Sequence, residues 1–238
     1  MDYRTFKLNN ELCIIHYPKK PNGFGILVIG NDYDYVDEKQ TSWTKNKTRY
    51  QILQKFLQAG YTVFYSNLGG KHYGNEFAVE LTMDLYEYVK RVEILNNKIH
   101  LFAEDEGAII ANKFINEKRE VVRSVLFLNP IFTLSILFEE LADQPFSYRK
   151  FLKEVGSAYN QNEEECEKFT KNHFINFQPL ALPYKIIHIL KYGLNDRSRI
   201  HYYKMIGKDI PLHVILPEKQ MDIATQAIYF FQKYEVPL

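Results

Sequence analysis

Cysteine is nearly absent from this sequence: Cys13 and Cys166 are the only two among 238 residues. Cys13 falls in an apolar stretch and Cys166 in the acidic run Glu163-Glu164-Glu165-Cys166-Glu167, so they make neither a disulfide framework nor a metal motif. The expected compartment is therefore the reducing cytoplasm. An excess of one charge is missing too. Thirty Lys and Arg against 29 Asp and Glu leave a net charge of +1, which gives no field to attract nucleic acid or an anionic membrane surface. No run reaches the roughly 18 apolar residues of a membrane span, and Met1-Asp2-Tyr3-Arg4 opens no apolar signal region. Internal repeats and low-complexity segments are absent. Gly69-Gly70 is not followed by the Gly-Lys-Ser/Thr of a phosphate-binding loop. No cofactor and no metal are expected.

What is abundant is apolar and aromatic: 46% hydrophobic residues, with 18 Tyr and 17 Phe. That content suits one large α/β domain with a Tyr-rich core and rim. Residues 3–8 and 11–17 predict two strands joined by a hairpin at Asn9-Asn10. The continuous apolar run 24–29 predicts a strand buried on both faces. Helical spacing over 49–59, a strand at 62–65 and a helix over 76–92 follow. A strand at 98–102 then runs into a small-residue helix, and another buried strand covers 123–128. From 131 to 177 the pattern turns helical, with 146–155 and 163–173 as the clearest helices. The strand rhythm returns at 184–190 and 212–216, with a turn at 192–196 and a helix to 206 between them, and a helix over 224–234 closes the chain. Strands alternating with helices imply a mostly parallel sheet, right-handed crossovers and ligand loops at the carboxyl ends of the strands.

Four stretches in this order carry a resemblance. Ala103-Glu104-Asp105-Glu106-Gly107 has the small-x-nucleophile-x-Gly layout of a nucleophile elbow. Gly30-Asn31-Asp32 follows the third strand, where an oxyanion loop would lie. Tyr192-Gly193-Leu194-Asn195-Asp196 looks like a turn carrying a triad acid. Pro217 to Asp222 sits where a triad His loop would stand. Together they resemble the α/β-hydrolase superfamily, nearest to its small esterase and dienelactone-hydrolase-like members. The resemblance implies a three-layer fold with a mostly parallel central sheet and helices on both faces. Its core would span 1–130 and 178–238, with a helical cap insertion at 131–177.

The same resemblance implies a degenerate triad. Asp105 stands in place of the nucleophilic Ser, Met221 in place of the His, and Asp196 keeps the position of the acid. The seven histidines end at His213, so none follows the last strand. Asn31, Asp32, Glu104 and Glu106 would surround the pocket. The function expected is a ligand- or partner-binding pseudo-hydrolase without ordinary esterase activity. Its partner would be a small molecule or a protein, with no nucleic acid and no membrane. The alternative is an active hydrolase with Asp105 as nucleophile and a relocated base, His72 or, more remotely, His201, acting on an ester, haloalkane or epoxide.

Other readings of the same residues are structural. Asp105 and Glu106 would serve as N-cap and first-turn acids of the following helix. His72 would be a solvated loop residue, His173 an exposed helix end, and His16, His100, His188 and His213 strand packing or edge residues. Asp32, Asp105 and Asp196, placed at one sheet edge, would also suit a Ca²⁺ or Mg²⁺ ion.

Overall fold

The computed structural model describes residues 1–31, 33–173, 182–190, 202 and 210–235. Asn9 and Asn10 both take positive φ, 48° and 68°. That is the primed turn whose twist matches a two-residue hairpin, and it joins β1 (Asp2–Leu8) to β2 (Glu11–Tyr17). β3 (Gly25–Ile29) and β4 (Thr62–Ser66) are buried at every residue, as continuous apolar runs predict. β5 (Ile99–Glu104), β6 (Val122–Leu128), β7 (Tyr184–Ile189) and β8 (Leu212–Ile215) complete one sheet in the order β1-β2-β4-β3-β5-β6-β7-β8. β1, β2 and β4 pair antiparallel, and every pair from β4 and β3 to β8 is parallel.

Helices cover both faces. α3 (Glu76–Val92) begins at Asn75, whose side chain accepts from the Ala78 N–H. It packs Leu81, Leu85 and Val89 against one face beside Ile110 and Phe114 of α4 (Gly107–Lys118). The short α1 (Ser42–Lys45) leads into α2 (Lys47–Gln58) on the opposite face. There Ile52, Leu53 and Phe56 pack with Ala227 and Phe231 of the closing helix Ile223–Gln232. Burial of these side chains, at about 1.5–3 kcal/mol each, is what holds the helices on the sheet.

Between β6 and β7 lie α5 (Leu134–Leu141), α6 (Pro145–Tyr159) and α7 (Glu163–Asn172). They share a separate apolar cluster of Leu134, Phe151, Leu152, Val155 and Cys166, which rests on Tyr73 and Ile109. The sequence predicts α6 and α7 but not α5, a helix of only two turns. His173, expected to be exposed, is partly buried, and its Nδ1 accepts from the Leu134 N–H at 3.2 Å. No described helix is long and apolar enough to cross a membrane.

Candidate functional site

The elbow forms as its residue types demand. Asp105 follows β5 with φ 48°, a left-handed conformation that costs a non-glycine residue about 1–3 kcal/mol. The surroundings hold it there. Its N–H donates to Leu128 O at 3.1 Å, and its carbonyl accepts from Ala108 N and Ile131 N at 3.1 and 2.9 Å. Gly107 explains the glycine of the motif. A Cβ there would stand 2.2 Å from Ile29 O and 2.6 Å from Gly30 O, so only glycine lets α4 start against the end of β3. Ala103, the small residue of the motif, is fully buried.

The loop after β3 and the first turn of α2 bring polar groups to this turn. The Asn31 amide donates to Asp105 Oδ2 at 2.8 Å, while its own Oδ1 accepts from the Tyr33 N–H at 3.1 Å. The first turn of α2 supplies Arg49, which bridges two carboxylates: NH1 to Asp34 Oδ1 at 2.5 Å and NH2 to Glu104 Oε2 at 2.8 Å. Asp34 also accepts from Ser42 Oγ at 2.7 Å and Trp43 Nε1 at 3.2 Å. Its carboxylate lies where a side chain on Gly30 would go, 1.7 Å from the position of a Cβ, which accounts for that glycine. The Arg49 guanidinium stands 5.8 Å over the Trp43 ring. Burial raises the Glu104 pKa; Arg49 pulls it down, and the charges of Asp105 and Asp34 push it up.

A cleft of about 250 Å³ opens above the elbow, between Glu106 and Tyr73 on one side and α5 and α6 on the other. Of the expected pocket residues only Glu106 lines it. Glu106 occupies the N-cap of α4 but makes no capping hydrogen bond, which corrects the expectation of an acidic cap. Asn31 and Glu104 instead flank Asp105 from β3 and β5. Asp32, Asp196 and His201 lie outside the described residues.

His72 corrects another expectation. The residue is buried, 1% exposed, and its Nδ1 accepts from the Gly74 N–H at 3.1 Å. Burial pushes its pKa down to about 4, against the pull of the backbone at Gly30 and Asn31, which lies on the ring. Met221 lies in the 3-10 turn Pro217–Asp222. It is 42% exposed, and its carbonyl accepts from Lys55 Nζ at 3.2 Å, so its side chain fills no closed gap. The structure thus gathers Asn31, Glu104, Asp105 and Glu106 at one edge, with His72 behind the Asn31 backbone.

Sequence reasoning missed Asp34, Arg49, Tyr33, Tyr73 and the α5–α6 wall. Arg49 follows Lys45 and Lys47 and its partner Glu104 is 55 residues away, so the sequence offers no signal that they meet.

No protein-family model and no curated protein matches the sequence. Solved structures do. The fold is similar to Est1E from Butyrivibrio proteoclasticus, with a TM-score of 0.65 at 10% identity over 97% of both chains. It is also similar to mouse alpha/beta hydrolase domain-containing protein 10, at 0.62 and 12% over 99% of this chain and 100% of that one. An acylaminoacyl peptidase from Pyrococcus horikoshii matches at 0.64 and 16%; it is longer, and this chain spans 42% of it. The eight-stranded sheet, the helices on both faces, the elbow and these likenesses agree on one conclusion: the chain has the three-layer α/β-hydrolase fold.

Proposed function

We propose that this protein uses the α/β-hydrolase fold to bind a ligand or partner in the cleft above Asp105, without ordinary esterase activity. The observation that carries the reading is the state of the elbow. The nucleophile position holds a carboxylate already engaged by the Asn31 amide, beside Glu104 and Glu106, and the loop Pro217–Asp222 holds no histidine. In a working triad the histidine takes the nucleophile's proton and returns one to the leaving group. Its removal in a measured enzyme costs on the order of 10⁶ in turnover. An aspartate nucleophile avoids the first step but still needs a base to activate the water that breaks its ester. His72 is the relocated candidate, and its Nδ1 already serves Gly74.

The fold itself implies no activity. Similar structures include a thioesterase domain, a proline iminopeptidase and Est1E with ferulic acid bound. They support a small organic molecule above the elbow as occupant. Both cysteines are free and buried, in keeping with a cytoplasmic protein.

The test is direct. Purified protein should cleave p-nitrophenyl acetate and short haloalkanes only at background rate. Turnover at ordinary enzyme rates, abolished in Asp105→Ala, would overturn the reading in favour of the Asp105 hydrolase; its loss in His72→Gln would identify the base.

A further inference from the structure

The net charge of +1 averages over an uneven molecule. At the amino edge, where β3, β5 and β6 begin, the segments 2–4, 18–23, 90–98, 117–123 and 233–235 carry ten Lys and Arg against five Asp and Glu. At the opposite edge the segments 33–40 and 104–106 reverse this, with six Asp and Glu against Lys39 and the incoming Arg49. The amino-edge cations are also the freer ones. Lys19, Lys20, Arg91 and Lys98 are exposed and, among the described residues, pair with no carboxylate. Glu93, two residues from Arg91, already holds Arg4 at 3.4 Å and the Tyr17 hydroxyl at 2.9 Å.

A bare aliphatic side chain stands among these cations. Ile94 is 99% exposed, and Val92, beside it, 41%. The turn that carries Ile94 is fixed from both sides. Lys90 Nζ donates to Leu95 O and Asn96 O at 2.8 and 2.9 Å. Asn96 donates through its N–H and its Nδ2 to Gly23 O at 2.8 and 3.3 Å, which seats the turn against the segment holding Lys19 and Lys20. Leu95 reaches back to Gly25, while Ile94 projects into water. A single exposed isoleucine is ordinary on a surface. One fixed among unpaired cations is the combination that contact with an anionic bilayer uses.

We propose that the amino edge of the sheet docks on an anionic lipid surface, with Ile94 entering the headgroup boundary and Lys19, Lys20, Arg91 and Lys98 meeting lipid phosphates. An acidic protein would satisfy the cations equally well. It would have to offer a pocket to the projecting side chain, whereas a bilayer gives way around it. Neither signal suffices alone. Exposed charges are screened by salt and one short aliphatic chain inserts weakly, so stable docking takes both. The contact is peripheral, since no described helix is long and apolar enough to cross a membrane. Docked in this way, the molecule turns its carboxyl edge, and the cleft there, toward the water. The inference goes beyond the binding reading above and does not depend on it.

The experiment sediments the full chain with vesicles of phosphatidylcholine alone, or of phosphatidylcholine and phosphatidylserine in equal parts, at low and at high salt. Binding to the mixed vesicles is expected to exceed binding to the neutral ones by about tenfold or more, and to fall at high salt. Each cation at an anionic leaflet is worth about fivefold, so Lys19→Gln with Lys20→Gln should lower the partition about 25-fold. Ile94→Ser should lower it by about fivefold at either salt concentration. All three side chains are exposed, so unchanged thermal midpoints are expected to show that the fold is kept. Ile94→Trp should bind like the parent and shift its emission to the blue on mixed vesicles, Trp43 being buried throughout. Equal sedimentation with both vesicle types, or none with either, would overturn the proposal. So would binding that falls in Lys19→Gln with Lys20→Gln but stays at the parent's level in Ile94→Ser, with the emission of Ile94→Trp unshifted. That is the result expected if the partner is an acidic protein or a nucleic acid.

Discussion

The two edges of the sheet hold similar residues put to different ends. At the carboxyl edge Asp105 sits on a strained turn among carboxylates and Arg49, and the next residue, Glu106, lines an open cleft. At the amino edge, β5 and β6 place His100 beside Ser124, with His100 Nδ1 2.8 Å from Ser124 Oγ. His100 Nε2 lies 3.9 Å from Glu235, which also takes the Tyr61 hydroxyl. Serine, histidine and glutamate thus stand in a row, with the serine and histidine closed off from solvent. Ser124, His100 and Tyr61 are fully buried, and the His100 ring stacks on Phe231 with centroids 4.5 Å apart. The edge that has the triad's residue types buries its serine and histidine, and at the edge that has access His72 is itself buried, with its Nδ1 accepting from the Gly74 N–H. A row of reactive side chains is a site only where a turn exposes it and a cavity admits a ligand.

The largest effect expected from this comparison lies at the open edge. Arg49 is the cation between Asp34 and Glu104, and all three are mostly buried. Arg49→Met leaves two buried carboxylates uncompensated and should cost about 3–5 kcal/mol in denaturant unfolding. Ser124→Ala at the closed edge removes one neutral hydrogen bond and should cost about 1–3 kcal/mol. Adding Glu104→Gln to Arg49→Met should restore part of the loss. Equal costs at the two edges would show that Arg49 acts as a surface ion pair, and the contrast would collapse.

How far the sequence discloses each edge follows from the range of its interactions. The elbow is local: a small residue, a strained position and a glycine within five residues, so Ala103 to Gly107 is legible. The hairpin at Asn9-Asn10 and helix Glu76–Val92 are local as well, and both form where the pattern places them. α1 and α5 escape because four and eight residues carry too little periodicity. The Arg49 bridge is not local. Its partners come from the loop after β3 and the end of β5, and no spacing in the chain announces that they meet. His72 misleads for the same reason. A glycine-rich loop reads as solvated, yet this one folds inward and carries the ring beneath the Asn31 backbone.

A smaller effect, spread over both edges, comes with pH. His72 at the open edge, His100 at the closed one and His16 in β2 are all buried, and burial lowers their pKa values to about 4, 3 and 4. Unfolded, each titrates near 6.5. Below that pH the unfolded chain gains protons that the folded chain refuses, so stability is fully present above pH 6.5 and is lost as pH falls toward 4. Each histidine contributes about 1.4 kcal/mol per pH unit in that window. Glu104, raised by burial, opposes the trend, since its folded form takes up a proton first. Denaturant midpoints at pH 7, 6 and 5 should therefore fall, and His72→Gln should flatten the slope by about one proton. A His72 resonance titrating near 6.5 would separate it from His100, give the open edge an accessible base and favour the Asp105 hydrolase.

The smallest effect is expected at Asp105 itself. If the residue is there for its shape, asparagine should replace it. Asn tolerates the left-handed region almost as well as any non-glycine residue, so the turn at φ 48° survives. Its side-chain oxygen still accepts from Asn31 Nδ2 in place of Oδ2. Losing the charge relieves repulsion with Glu104, which offsets the weaker, uncharged hydrogen bond. Asp105→Asn should shift stability by less than about 1 kcal/mol, whereas Asp105→Ala, which strains the turn and strands the amide, should cost about 1–2 kcal/mol. Chemistry would order the two variants differently. A nucleophile requires the carboxylate, so Asn and Ala would lose turnover alike whatever their stabilities. Thermal midpoints and ester turnover measured on the same pair separate a position kept for geometry from one kept for reaction. An asparagine variant folded like the parent but stripped of a measurable activity would show that the open edge still does chemistry.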